Sequence, residues 1–191
     1  MKIAFYLGSF NPFHNGHLEV VKTALNDFKM DKVIIVPTMQ NPAKKEKAVD
    51  IDKRVEIITE YLIDMARDKE FPFIYNFNEV AGIHVSLIEK FLIPPYYSYA
   101  TLHALKTKYC NDEVFILCGE DTMKSIPDWM HGGKIIEDYD FLVVDRPANA
   151  ISSTQVREIL RTRNKMDAYY SDEKLANYVS PNVINLLKKY Y

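Results

Sequence analysis

The strongest constraint on how this chain folds is an alternation. Short apolar runs that stop at glycine or proline take turns with longer segments whose apolar residues recur every three or four positions. Ile3-Ala4-Phe5-Tyr6-Leu7 runs into Gly8, and Leu18, Val21, Leu25 and Phe28 follow at helical spacing. Val33-Ile34-Ile35-Val36 stops at Pro37, and Val55, Ile58, Leu62 and Met65 line a second helical face. Phe73, Tyr75 and Phe77 alternate with smaller or polar residues and predict a third strand, with a further strand around Val85–Ile88 and a loop at Pro94-Pro95. Leu102, Leu105 and Tyr109 predict a helix. Val114–Cys118 and Phe141–Val144 predict the fourth and fifth main strands, ending at Gly119 and near Pro147. Helical segments are expected over 154–163 and 181–190. Continuous rather than alternating apolar strands are those buried on both faces. The order is therefore that of an α/β protein with a doubly wound, mostly parallel sheet and right-handed crossovers. At 191 residues the expectation is one domain over 1–191, large enough to bury about 70% of its unfolded surface.

Open α/β sheets bind ligands beyond the carboxyl ends of their strands. The chemically unusual residues fall just there. After the first strand comes Gly8-Ser9-Phe10-Asn11-Pro12-Phe13-His14-Asn15-Gly16-His17. Gly8 permits a tight turn or close approach to a ligand. His14 and His17 are three apart at a helix start, so they can share one face. Gly16 keeps bulk away from what they hold. A helix start already favours an anion, and two imidazoles there point to a phosphate chain. The alternatives are a structural role, or metal ligation, for which a third ligand at matching spacing is missing. After the second strand, a proline-bracketed loop carries Lys44, Lys45 and Lys47, read either as a solvated loop or as a polyphosphate contact. Gly119-Glu120-Asp121 follows the fourth strand, where an acid can accept from ribose hydroxyls or cap a helix. Trp129 can be core or a stacking surface, and Arg146 follows the fifth strand. Ile151-Ser152-Ser153-Thr154-Gln155-Val156-Arg157 makes a second capped helix start with a nearby guanidinium.

Other chemistries lack their parts. Lys plus Arg total 24 against 26 for Asp plus Glu, a formal charge of −2, without the positive field of a nucleic-acid binder. Cys110 and Cys118 have no metal-type spacing and predict a reduced, cytoplasmic setting. No apolar run approaches the ~18 residues of a membrane span. Walker, Gly-x-Gly-x-x-Gly and Gly-x-Ser-x-Gly motifs are absent.

Gly8–His17, with its His-x-Gly-His core, resembles the signature loop of the nucleotidylyltransferase superfamily. Ile151–Arg157 resembles its second motif. Tyr99-Ala100-Thr101-Leu102, Gly119-Glu120-Asp121, Trp129, Asp145-Arg146-Pro147 and the tail from Val179 are similar to the nicotinate or nicotinamide mononucleotide adenylyltransferases, in length and tail to the bacterial form. Leu7 and the Gly8–Pro12 stretch depart from that form toward the nicotinamide-using members. The resemblance implies a Rossmann-like fold and transfer of AMP from ATP to a pyridine mononucleotide, with Mg²⁺ carried in by the ATP and no metal held by the protein itself. It implies catalytic roles for His14, His17, Lys44 and Arg157. Gly8, Ser9, Phe10, His14, Gly16, His17, Gly119, Asp121, Ile151, Ser152, Ser153 and Arg157 would meet ATP. Ser9, Phe10, Lys44, Thr101, Trp129 and Arg146 would meet the acceptor. Arg54 matches an arginine of the bacterial pattern and reads as structural. A homo-oligomer is allowed for. The rival expectations are a sister enzyme acting on pantetheine phosphate or another phosphorylated acceptor, and a nucleotide-binding protein without catalysis.

Overall fold

A computed structural model describes residues 1–39, 48–67, 79–80, 82–145, 151–162 and 168–191. The strands are β1 (Lys2–Gly8), β2 (Lys32–Pro37), β3 (Glu79–Val80), β4 (Ile83–Val85), β5 (Glu113–Gly119) and β6 (Asp140–Val144). The helices are α1 (Asn15–Asn26), α2 (Ile51–Arg67), α3 (Ser98–Lys108), α4 (Glu120–Ser125), α5 (Gly132–Asp138), α6 (Ser153–Thr162), α7 (Ala168–Ala176) and α8 (Pro181–Tyr190). The sheet order is β3-β4-β2-β1-β5-β6. Among the described residues five strands run parallel, and only β3 pairs antiparallel, at the edge beside β4.

Both faces of the sheet are covered, as its continuous apolar strands require. Ala4, Tyr6, Val33 and Ile35 point into a core with Leu18 and Val21 of α1, Ile57 and Tyr61 of α2, Val156 of α6 and Val183 of α8. Ile3, Phe5, Ile34, Val36 and Ile116 point the other way, onto Leu102 and Leu105 of α3 and Ile135 of α5. The chain therefore crosses on one face after β1 and on the opposite face before β5. The switch in strand order lies between β1 and β5. These two strands run in register from Lys2–Glu113 to Phe5–Ile116, so Gly8 and Gly119 emerge at the same edge of the sheet. Gly8 also stands opposite Pro37.

The expected doubly wound sheet is observed, with local differences. The strand predicted over Val85–Ile88 lies earlier, at Ile83–Val85, and Ile88–Phe91 is a short 3₁₀ turn. The Ser86 amide still donates to Ile35, but its hydroxyl then accepts from the Ile88 amide and turns the chain out of the ladder. The strand predicted at 73–77 lies outside the described residues. Sequence periodicity gave no sign of α4, α5 or α7. The first two are too short to show a full apolar stripe.

Candidate functional site

The loop from Gly8 to His14 is held from several directions by its carbonyl groups. Gly8 O accepts the Thr38 amide at 2.9 Å. Ser9 O accepts from Arg54 at 2.5 Å. Asn11 O accepts from Arg157 at 2.6 Å, and Pro12 O accepts from the Ser153 hydroxyl at 2.9 Å. The donors come from the residue after β2, from α2 and from α6, so the loop is a junction of three parts of the chain. The Asn11 side chain adds two more ties, accepting the Val49 amide at 3.2 Å and the Tyr191 hydroxyl. Phe10 sits at φ 43°, in the left-handed region. Its ring folds back over Gly8, where a Cβ would lie 2.9 Å from two ring carbons, so a larger residue 8 would push this ring aside.

His14 caps α1 and is 1% exposed. Its ring stacks on that of His17, with centroids 3.8 Å apart. Phe13 stacks against His17 from another side at 5.3 Å, and Phe10 meets it edge-on at 5.1 Å. The His14 backbone amide donates to His17 Nδ1 at 3.3 Å. That bond assigns the proton of a neutral His17 ring to Nε2, making Nε2–H a donor. The start of α1 is anchored by Asn15, whose amide donates to Tyr178 O at 2.8 Å.

The second helix start lies against the first. A Cβ on Gly16 would stand 3.1 Å from the His14 ring and 3.5 Å from Ile151 O. Ser152 caps α6 reciprocally: its amide donates to Gln155 Oε1 at 2.8 Å, and the Gln155 amide donates to its hydroxyl at 3.3 Å. This capping box satisfies part of the first turn. With the Ser153 and Arg157 bonds, it fixes α6 against the Asn11-Pro12 turn. His14, Gly16, His17, Ile151, Ser152, Ser153 and Arg157 are thus brought together, as the sequence reading requires. Ser9 and Gly8 border the same group.

Other expected residues stand on other elements. Phe10 is 2% exposed, with its ring spent on Tyr6, Phe13 and His17, so only its backbone is placed to face a ligand. Gly119 and Asp121 lie at the carboxyl end of β5, Gly119 as the cap of α4 and Asp121 exposed in its first turn. Thr101 and Trp129 belong to the opposite layer. Trp129 is half-buried against the α3–α5 core. Thr101 is fully buried, and its hydroxyl donates to Glu89 Oε1 at 2.8 Å, so it braces the wall instead of opening onto the surface. Lys44, Lys45, Lys47 and Arg146 lie outside the described residues.

Three residues of this region escaped the sequence reading. Glu89 is 1% exposed and accepts the Met39 amide at 2.6 Å as well as Thr101. Burial holds its carboxyl above the ordinary range, with those two bonds and the charge of Arg54 working against it. Asn11 and Tyr191 also went unnoticed as ties of the loop. Glu89 sits where no periodicity was readable, and nothing in the sequence singles it out. Arg54 is different. It shares a helix face with the buried Ile51, Ile58 and Leu62, and a guanidinium on an apolar face must find partners. Among the described residues no three His, Cys, Asp or Glu side chains gather to hold a metal.

Comparison with known proteins places this arrangement. A model of the cytidylyltransferase-like family matches residues 5–159. A Flavobacterium johnsoniae protein named "Probable nicotinate-nucleotide adenylyltransferase" is 30% identical over 158 residues, 82% of this chain and 74% of its own. The nicotinate-nucleotide adenylyltransferase of Bacillus subtilis is 26% identical over 198 residues, 95% of this chain and 96% of its own. Among solved structures, the Plasmodium falciparum nicotinic acid mononucleotide adenylyltransferase complexed with NaAD matches with a TM-score of 0.72 at 16% identity, covering 98% of this chain and 95% of that one.

Proposed function

Because the chain belongs to the cytidylyltransferase-like family and to the nicotinate-nucleotide adenylyltransferases within it, we propose that it transfers AMP from ATP to nicotinate mononucleotide, releasing pyrophosphate. The observation that carries this reading is the meeting of two helix starts at one loop. Ser153 and Arg157 of α6 bind the carbonyls of Pro12 and Asn11, and Ile151 packs on Gly16 beside His14. First-turn amides at a helix start attract a polyphosphate.

In this reading the acceptor's phosphate oxygen attacks the α-phosphorus of ATP in line and pyrophosphate leaves. No protein nucleophile is required. A phosphate monoester is largely dianionic near neutral pH, with a second pKa of ~6, so no strong base is required either. Catalysis is then alignment, able to supply roughly 7–11 kcal/mol, together with donors aimed at the developing charge. His17 Nε2–H is such a donor, and His14 stacks behind it. Lys44 and Arg157 add positive charge along the phosphates. Gly119 and Asp121 lie against the ribose, and Trp129 against the pyridine ring, with Arg146 near the acceptor. Mg²⁺ arrives with ATP, held by phosphate oxygens and water, as its reluctance to dehydrate favours. The reading takes the chain as one domain working in the cytoplasm. No helix among the described residues is long and apolar enough to cross a membrane.

The test is pyrophosphate release with ATP and either nicotinate or nicotinamide mononucleotide. Release with the nicotinate acceptor at a kcat/KM at least tenfold higher supports the proposal. Release only with pantetheine phosphate, or ATP binding without release, overturns it.

A further inference from the structure

Arg54 is the largest fully buried side chain among the described residues. Its three guanidinium nitrogens all donate to backbone carbonyls. Nε donates to Val49 O at 2.6 Å, one terminal nitrogen to Ser9 O at 2.5 Å, and the other to Thr38 O at 2.8 Å. These carbonyls belong to three different parts of the edge. Ser9 begins the loop after β1. Thr38 follows β2. Val49 leads into α2, and its own amide donates back to Asn11 of the same loop. One planar fork therefore fixes the spacing between the exits of β1 and β2 and the entry to α2. Among the described residues no carboxylate is hydrogen-bonded to this charge. Asp50 and Glu89 act on it only through space, and burial pulls its pKa below the ordinary arginine value.

A purely structural tie would not need this chemistry. Neutral side chains bind carbonyls well, whereas burying a charge without a bonded counter-ion is expensive. What a guanidinium adds at this place is positive charge directly behind the loop that carries His14 and His17. It also adds polarisation of the peptide it holds. The Ser9 carbonyl points at Arg54, so in a trans peptide the Phe10 N–H points the opposite way, away from Arg54. A hydrogen bond from a charged donor to the carbonyl strengthens the N–H of the same peptide as a donor.

We propose that Arg54 is a positioning residue for nucleotidyl transfer: its fork sets the relative placement of the β1 and β2 exits that flank the phosphates, and its charge strengthens the loop amides that meet them. The proposal rests on the transferase reading above.

The test uses the full chain with Arg54→Lys, which keeps the charge and loses the fork, and Arg54→Gln, which loses the charge. Helicity by circular dichroism at the assay temperature reports folding, with trimethylamine oxide added where needed to favour the compact state. In folded protein, Arg54→Lys should lower kcat about 10²-fold, the usual result of roughly 1 Å of misplacement. The KM for ATP should stay within threefold. Arg54→Gln should lower kcat at least as far and also raise the KM for ATP by about tenfold. A structural role alone would lower activity only in proportion to the unfolded fraction. Folded Arg54→Lys with kcat within twofold of wild type overturns the proposal. So does failure of both variants to reach the wild-type spectrum in the osmolyte, since Arg54 would then serve the fold alone. If wild type binds ATP but releases no pyrophosphate with any acceptor, the transferase reading fails separately. Arg54 is then judged by ATP affinity, with a Kd for Arg54→Gln less than threefold above wild type counting against it.

Discussion

Gly16→Ala separates stability from activity, because the structure sets two opposing terms that cancel in one and not in the other. Gly16 lies in the first turn of α1, where alanine gains roughly 0.5–1 kcal/mol in backbone entropy and propensity. The added methyl would stand 3.1 Å and 3.2 Å from two atoms of the His14 ring and 3.5 Å from Ile151 O. The carbonyl contact is ordinary. The ring contacts fall short of the ~3.5 Å where carbon–carbon attraction is best, so His14 must retreat by about 0.4 Å. Displacing a buried ring from its rotamer costs about 0.5–1.5 kcal/mol, which offsets the helix gain. At 2–4 °C per kcal/mol for a chain of this length, Tm should remain within about 4 °C of wild type. Turnover has no such compensation. His14 stacks on His17 at 3.8 Å, and its shift propagates to the Nε2–H donor. If 1 Å of misplacement costs about 10²-fold, 0.4 Å costs about 5- to 10-fold in kcat. Thermal denaturation beside a pyrophosphate-release assay measures both. Turnover within twofold of wild type would refute the reasoning, as would a Tm lowered by more than about 6 °C.

His17→Ala should fold and lose about 10²-fold or more in kcat, the worth of one aimed donor; near wild-type turnover in steady-state kinetics would remove His17 from the mechanism. Gly132→Ala should destabilise by more than about 3 kcal/mol or fail to accumulate, because its Cβ would lie 1.9 Å from Ile126 O, a backbone atom that cannot step aside; a melting curve close to wild type would contradict this. Glu89 has a folded pKa above its ordinary 4.5, so the stability it contributes is complete below that pH and is lost as pH rises through the folded value. Glu89→Gln can keep both bonds by offering its oxygen to Met39 and its amide nitrogen to Thr101. The variant should therefore gain Tm relative to wild type between pH 4.5 and pH 7; a constant difference across that range would deny the shift.

How much of this was legible in the sequence depends on whether a signal is local. β1, β2, β5 and β6 announce themselves because a parallel strand buried on both faces is a continuous apolar run, and α1 and α2 because an amphipathic stripe repeats. The two helix starts were legible for the same reason, since His14, His17, Ser152 and Ser153 stand beside the elements they begin. The ties between them were not. Ser153 and Arg157 reach residues 141 and 146 positions away, and no local pattern encodes such a bond. The family resemblance implies that the Thr101 hydroxyl meets the pyridine ring. Only the placement of Glu89, from a stretch without periodicity, reveals that this hydroxyl is already engaged. The resemblance likewise implies that Phe10 meets the substrates. Its left-handed backbone turns it inward instead.

The loop written in the first dozen residues is held by Ser153, Arg157 and Tyr191. A chain emerging from the ribosome has therefore made its histidines long before it can seat them. Until those late residues arrive, the Asn11-Pro12 turn lacks three of the side chains that hold it. Nucleotide binding at this loop therefore draws on contacts 141 to 180 positions away in the chain, and the ligand's binding energy favours the state in which those distant ties are made.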